Sequence, residues 1–364
     1  MFFEIERDLF YEGLSKTVPI AEKRSPLPIL SHILISVVNN TLTLTTTDLE
    51  VGLRMTYDAI VHDPGLLAIP SKKIYEIVRE LPSGQVKIES TEANRIHISL
   101  GKIVFELAGM DASDYPVLPS FDETNKTEVN AQKLLDMIDK TLFAASSDDS
   151  RFNLNGVLFE NDENKTRLVA TDGHRLALIE ENLGISLDSQ HVVPKKGLNE
   201  LKRILESIRD NVFFGFEQKN LCVSNQKFLM SIRLVDGDYP DYRKVIPPSN
   251  ANSIKVNRIS FLQALRRAAV LTSDRNKGVN VEINADTVVF SVTHPDLGSA
   301  RDVLSVEYQG EDFLVIINVF YLMEALGVID SELISVEFGK EAAPIIIRPE
   351  PQDNYFNLVM PMRK

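Results

Sequence analysis

The chain has no tryptophan and a single cysteine, Cys222, in 364 residues. One cysteine excludes an intramolecular disulfide and fits a reducing compartment. Its neighbours Leu221 and Val223 give it an ordinary strand setting rather than a reactive one. Histidine is sparse too. His32, His62, His97, His174, His191 and His294 have no metal-ligand spacing, so no metal and no other cofactor is expected. No G-x-S-x-G elbow, G-x-x-x-x-G-K-S/T loop or H-E-x-x-H helix occurs. The longest apolar stretch, Phe313 to Leu326, is too short to span a bilayer and carries Asn318 and Glu324. The start, Met1-Phe2-Phe3-Glu4-Ile5-Glu6-Arg7, puts acids where a secretory signal needs a basic opening. The expectation is a cytoplasmic protein with no membrane partner and no catalytic centre.

What the chain has instead is repetition. Ala68-Ile69-Pro70, followed by a helical run from Ser71 to Leu81, returns as Val192-Val193-Pro194 followed by Lys195 to Leu205. A degraded third copy is Val315-Ile316-Ile317-Asn318 followed by Val319 to Leu326. Pro70 and Pro194 are 124 residues apart, and so are Asp48 and Asp172, and Asp114 and Asp238. Ordered landmarks at one offset mark internal duplication, which serves geometry more often than chemistry. Domains are expected at 1–121, 127–247 and 253–364, with acidic or Pro-rich connectors near Pro119–Lys126 and Pro247–Ser253.

Each copy reads helix, hairpin, helix, hairpin, which gives an α+β fold of three tandem two-helix, two-sheet domains. First helices are predicted at 7–20, 130–146 and 257–273, and second helices at 71–81, 195–209 and 318–329. The alternation Ile33, Ile35, Val37, then Leu42, Leu44 is that of strands with one buried face. In 195–209, Leu198, Leu201, Ile204, Leu205 and Ile208 share one face, while Lys195, Lys196, Lys202 and Arg203 share the other. The net charge of −13 argues at first against a nucleic-acid partner. Yet the six helical segments together carry +6, leaving −19 for the rest of that −13 total. A positive helical surface against an acidic exterior would concentrate a polyanion on one side.

The strongest catalytic candidate is Thr171-Asp172-Gly173-His174-Arg175-Leu176, in which Asp, His and Arg are neighbours. It sits where a hairpin strand ends, and Asp-Gly is a common turn dipeptide. Its counterparts, Thr47-Asp48-Leu49-Glu50 and Thr293-His294-Pro295-Asp296, diverge. A purely structural turn is expected to recur in every copy, so the divergence points to a local function. Asp236, Asp238 and Asp241 read as a turn before Tyr-Pro rather than as a cation site. An enzyme acting on phosphates through Asp172, His174 and Arg175, and a rigid peptide-binding scaffold without DNA, are the competing readings.

Ala170 to Ala177, Asp238-Tyr239-Pro240-Asp241-Tyr242-Arg243 and the ending Val359-Met360-Pro361-Met362-Arg363 closely resemble the bacterial beta sliding clamps, the DNA polymerase III beta subunits. The likeness runs from end to end and includes Arg24 and Leu27-Pro28-Ile29-Leu30. It implies a DNA clamp fold closed into a head-to-tail homodimeric ring that encircles double-stranded and primed DNA and catalyses nothing. It also implies docking of replicative polymerase, clamp loader and repair proteins through short peptides. By position, the peptide pocket would comprise Leu154, Thr171, Gly173, His174, Arg175, Leu176, Pro240, Val245, Tyr321, Val359, Met360, Pro361 and Met362. DNA contacts would fall to Arg24, Lys72, Phe152, Asn153, Lys195 and Lys196, with Arg203 on the same basic helix face. Phe105 and Leu107 of one subunit would meet Val270 and Leu271 of the other. Phe152-Asn153 replaces an aromatic pair frequent in the family, Asp148 a neutral residue and Pro344 a small polar one.

Overall fold

Three passes of one topology make up the chain: strand, helix, four strands, helix, three strands, with one extra short strand, Ile60–Asp63, in the first pass. The computed structural model describes residues 1–21, 26–91, 94–162, 165–187, 189–248, 252–273, 276–339, 343–351 and 354–362. The helices are α1 (Arg7–Thr17), α2 (Ser71–Glu80), α3 (Ala131–Leu142), α4 (Lys195–Leu205), α5 (Arg258–Ala269) and α6 (Val319–Gly327). The first helix of each copy stops three or four residues short of its predicted end. In the first copy Pro19, which has no N–H to continue the helix, follows α1, and the chain turns with Ile20 N–H donating to the Thr17 carbonyl.

Two compact units emerge, and they do not coincide with the three repeats. The first holds residues 1–132 and 196–234, the second 133–195 and 235–364. In the first unit, an eight-stranded antiparallel sheet runs Thr127–Asn130, Asn211–Glu217, Asn220–Ser224, Phe228–Arg233, Val51–Asp58, Thr41–Thr47, His32–Val38, Gly65–Pro70. Strands of the second repeat therefore pair with strands of the first, Phe228 opposite Met55 and Met230 opposite Leu53. A five-stranded sheet beside it ends in Ile103–Ala108. In the second unit, the eight strands are His191–Pro194, Gly156–Asp162, Lys165–Thr171, Arg175–Glu181, Tyr355–Val359, Ile345–Glu350, Leu333–Phe338 and Asn252–Asn257. There the second repeat joins the third, with Leu176 opposite Leu358. A four-stranded sheet ends in Gly298–Ser305. Of the two short sheets expected within each domain, those at the internal junctions are thus merged across repeat boundaries, while the first and third repeats each keep one of their own.

The reason is burial. Leu53, Met55, Met230 and Ile232 are all buried, and a repeat standing alone would leave that apolar edge in water at roughly 25 cal/mol per Å². The helices pack by the face read from the sequence: α4 buries Leu198, Leu201, Ile204 and Leu205. Gly197 lets it lie close, because a Cβ there would meet the Ile232 side chain at 2.2 Å. A capping device recurs in all three copies. Arg7 Nε donates to the Val78 carbonyl, Gln132 Nε2 to Leu205 and Ile208, and Arg258 to Leu326 and Ser331. In each, a side chain at the start of the first helix satisfies carbonyls at the end of the second. Cys222 is fully buried, and burial pushes its thiol up to about 12.

Candidate functional site

The Thr171–Leu176 run is a hairpin turn in the second unit, and its polar atoms fold it. Thr171 Oγ1 accepts from Gly173 N–H, and Asp172 Oδ1 accepts from His174 N–H at 2.9 Å and Arg175 N–H at 3.1 Å. Gly173 takes φ +87 there, the left-handed region that favours glycine. The first repeat builds the same turn: Leu49 N–H donates to Thr47 Oγ1, and Glu50 and Val51 N–H donate to Asp48 Oδ1. Leu49 accepts φ 74 in place of the glycine. The turn does recur, contrary to the expectation from its diverged sequence, and the retained Thr-Asp pair was the signal for it. What is local to the second repeat is the set of side chains the turn carries.

Those side chains do not converge as a catalyst. Arg175 Nε donates to Asp172 Oδ2 at 3.0 Å, its Nη2 donates to the Phe143 carbonyl at 2.7 Å, and its Nη1 pairs with Glu324. Its guanidinium also lies over the rings of Tyr321 and Phe143, at 4.5 and 5.3 Å. With its side chain 10% exposed, Arg175 fastens the turn to α6. His174 is exposed, and its carbonyl accepts from Met360 N–H at 2.8 Å.

Because Arg175 pairs with Val359 and Leu176 with Leu358, strand alternation puts Arg175 and Val359 on one face of the sheet and Leu176 and Leu358 on the other. On that second face Leu176, Leu178, Phe356, Leu358, Ile346 and Tyr242 form an apolar cluster, with Tyr239, Ile246 and Met360 packed against it. Thr171 N–H donates to the Tyr239 hydroxyl at 3.0 Å, and burial raises that phenol well above its ordinary range. Beside Tyr239 opens a cavity of about 370 Å³ lined by Leu154, Phe152, Asn153, Arg151 and Pro240. The structure therefore brings Leu154 and Pro240 together with Phe152 and Asn153, residues assigned from the sequence to different ligands. Val245 is exposed at the end of the 3-10 turn Tyr242–Val245, while Met362 is anchored by its N–H to the Ile316 carbonyl. Leu358, Tyr239 and Glu324 were missed as contributors, although Tyr239 stood inside a quoted motif.

The cations assigned to DNA are mostly engaged within the protein. Lys195 Nζ donates to the Ala145 carbonyl and Ser147 Oγ, both at 3.0 Å, and burial, then the Arg175 charge, lowers its pKa. Lys196 Nζ lies 2.6 Å from Asp48 Oδ2 and 2.9 Å from Glu50 Oε2. Arg203 pairs with Glu200 and donates to the Ser15 carbonyl. Lys72 stays 74% exposed, with Glu76 no nearer than 3.8 Å. Arg24 lies outside the described residues. Phe105 is exposed on the outermost strand of the five-stranded sheet, and Leu107 is half-buried there. Val270 and Leu271 lie in the turn after α5 rather than in the helix core, Val270 76% exposed.

Residues 1–119, 128–241 and 243–363 match, in order, the N-terminal, central and C-terminal domains of the DNA polymerase III beta subunit. This chain belongs to that family. It is 32% identical to the beta sliding clamp of Vibrio cholerae and 31% identical to that of Escherichia coli K12, over all of each chain. Among solved beta subunits, the Pseudomonas aeruginosa sliding clamp with ligand superposes at a TM-score of 0.94 with 30% identity and full coverage of both chains. The Bartonella birtlesii sliding clamp bound to griselimycin superposes at 0.95 with 30% identity, again over both chains in full. The three tandem clamp domains of the beta subunit are thus present here, with sheets continuous from one domain to the next. Among the described residues, no cluster of His, Cys, Asp or Glu could hold a metal, and no helix is long and apolar enough to cross a membrane.

Proposed function

We propose that the protein is the processivity clamp of a replicative DNA polymerase, closing as a head-to-tail dimer around duplex DNA. One observation carries this reading. Each internal junction pairs the fourth strand of one repeat with the last strand of the next: Val51–Asp58 with Phe228–Arg233, and Arg175–Glu181 with Tyr355–Val359. Among the described residues two strands of these kinds keep their outer edge unpaired, Gly298–Ser305 of the third repeat and Ile103–Ala108 of the first. Unpaired edges invite pairing, and these two are unlike and complementary, so they join copies heterologously and close a ring when the rotation allows. Aligning the repeats by their ladders sets Phe105 opposite Ala300 of the other copy. A cavity of about 230 Å³ lined by Ala268, Phe290 and Ala300 lies there to take the ring.

A closed ring holds DNA by topology, so its contacts need only be weak and sequence-blind. The apolar cluster around Leu176, Tyr239 and Met360, with the exposed Pro240 and a polar rim beside it, suits an extended peptide bearing a large apolar anchor. Polymerase, clamp loader and repair proteins would all reach the ring through it. The competing enzymatic reading loses its support, because Asp172 and Arg175 spend their polar atoms on the turn and on each other. Light scattering after gel filtration tests closure: twice the chain mass of 40.9 kDa is expected. Retention on nicked circular DNA and release on linearisation complete the test. A monomer, or equal retention on both DNA forms, would overturn the reading.

A further inference from the structure

A second cavity of the second unit, about 600 Å³, lies apart from the one beside Pro240. It lies further along the same sheet face, under the connector that carries Tyr242 to Pro248, with Leu178, Phe356 and Ile246 among its apolar walls. Its floor continues that of the candidate peptide pocket. Leu178 follows Leu176 and Phe356 precedes Leu358 on the same strands, about 7 Å apart at strand spacing, and all four belong to one cluster.

The charges around this cavity are unevenly spent. Arg167 pairs with Asp162, Glu180 and Glu160, so the carboxylates of the wall already have cationic partners within the protein. Glu160, the one fully buried carboxylate among the described residues, also accepts from the Tyr242 hydroxyl at 2.5 Å and Arg243 Nη2 at 2.7 Å. Arg243 lies 4.8 Å over the Tyr242 ring and Arg348 4.6 Å over the Phe356 ring. Among the described residues each uses one nitrogen within the protein: Arg243 its Nη2, and Arg348 its Nε, which donates to Glu337 at 2.9 Å. A guanidinium stacked in this way is held flat, and its remaining N–H edge keeps the fork geometry that matches a carboxylate.

We infer that this cavity is a second recognition site, for an acidic segment with an apolar side chain that flanks the core of a clamp-binding peptide. The inference rests on the peptide-pocket reading, since the continuous floor is what makes the occupant the same peptide. The apolar side chain lies on Leu178 and Phe356 while its neighbouring carboxylate meets Arg243 or Arg348. Discrimination then comes from the flank, and it weakens as salt rises.

Fluorescence anisotropy with four labelled peptides, one Gln- and Leu-containing core alone and the same core with Asp-Leu, Gln-Leu or Lys-Leu flanks, tests it. The wild-type protein is expected to bind the acidic-flank peptide roughly tenfold tighter than the neutral one, and the lysine-flank peptide weakest. Arg348→Gln and Arg243→Gln together should erase that ranking while leaving affinity for the unflanked core unchanged, which also reports that the pocket is still folded. Equal affinities for all three flanks in the wild type would overturn the inference and leave the pocket standing. So would a ranking that survives in the double variant. Failure of the wild type to bind even the core would remove the pocket and this inference together.

Discussion

The ammonium of Lys196, the second residue of α4, sits 2.6 Å from the carboxylate of Asp48 in the turn of the first repeat. Asp48 is almost fully buried, its side chain 5% exposed, and its other oxygen holds the turn through Glu50 and Val51. Lys196 thereby ties the second repeat's helix to the first repeat's hairpin. Lys196→Glu should lower stability by roughly 1–3 kcal/mol, because it strands a buried carboxylate beside a new negative charge. Urea denaturation measures this, and an unchanged midpoint would free Lys196 to be counted as a DNA contact.

Electrostatic contact with DNA is better probed where no internal partner is close. Lys72 is well exposed, and Arg266 on α5 is exposed and unpaired among the described residues. Lys72→Glu and Arg266→Glu should each reduce the salt dependence of DNA binding by about one counterion, with stability unchanged. An unaltered salt slope in both variants would show that these helix faces do not meet phosphate.

Closure of the dimer is expected to depend on few apolar side chains. Phe105→Ala, or Val270→Ala with Leu271→Ala, should shift the protein toward monomer, at roughly 1–3 kcal/mol per large side chain. Since Val270 and Phe105 are exposed in the single chain, its thermal stability should hold. Light scattering at low micromolar concentration decides, and a persistent dimer in both variants would mean the interface lies elsewhere.

Pro240 offers the clean test of the peptide pocket. It is exposed, whereas Leu176 is buried in the sheet and a charge there would unfold the unit. Pro240→Glu should abolish binding of a clamp-binding peptide in anisotropy while dimer and DNA retention persist. Deletion of 360–364 should do the same, having removed the Met360 N–H that donates to His174. Full peptide affinity in both variants would sink the pocket.

Cys222 should resist thiol reagents in the native state. Its sulfur is fully buried and the thiol is pushed up to about 12, so almost no thiolate exists at pH 8. Rapid labelling by a disulfide reagent without denaturant would contradict that burial.

Much of this fold is legible in the sequence because it rests on local pattern. The alternation of His32–Val38 and Thr41–Thr47 and the apolar face of α4 reappear residue for residue. Val51–Asp58 and Arg175–Glu181 escaped the reading, and these are the strands whose partners come from another repeat. No local periodicity encodes a pairing between Met55 and Phe228. The turn at Asp48 escaped for a different reason, since Leu49 holds a backbone conformation usually given to glycine. The proximity of some motif residues was legible, with Leu176 and Met360 in one cluster and Leu154 and Pro240 on one cavity. Their division was not, because which face Arg175 or Val359 takes depends on register with a strand some 180 residues away. The internal partners of the basic helix faces were not legible for the same reason, as Lys195 and Lys196 meet carbonyls and carboxylates that the sequence does not bring near them.

Sheets that ignore repeat boundaries also decide how the chain can be cut and how it melts. A fragment ending at residue 121 would expose the apolar flank of Val51–Asp58 for its whole length, and excised single repeats should aggregate instead of folding as free-standing modules. Denaturation should accordingly proceed in two cooperative blocks, residues 1–132 with 196–234 and residues 133–195 with 235–364. The second repeat should be seen by hydrogen exchange to melt in two instalments, one half with each neighbour. A repeat of this chain is in this sense no independent module, and its stability is decided at the joint between copies.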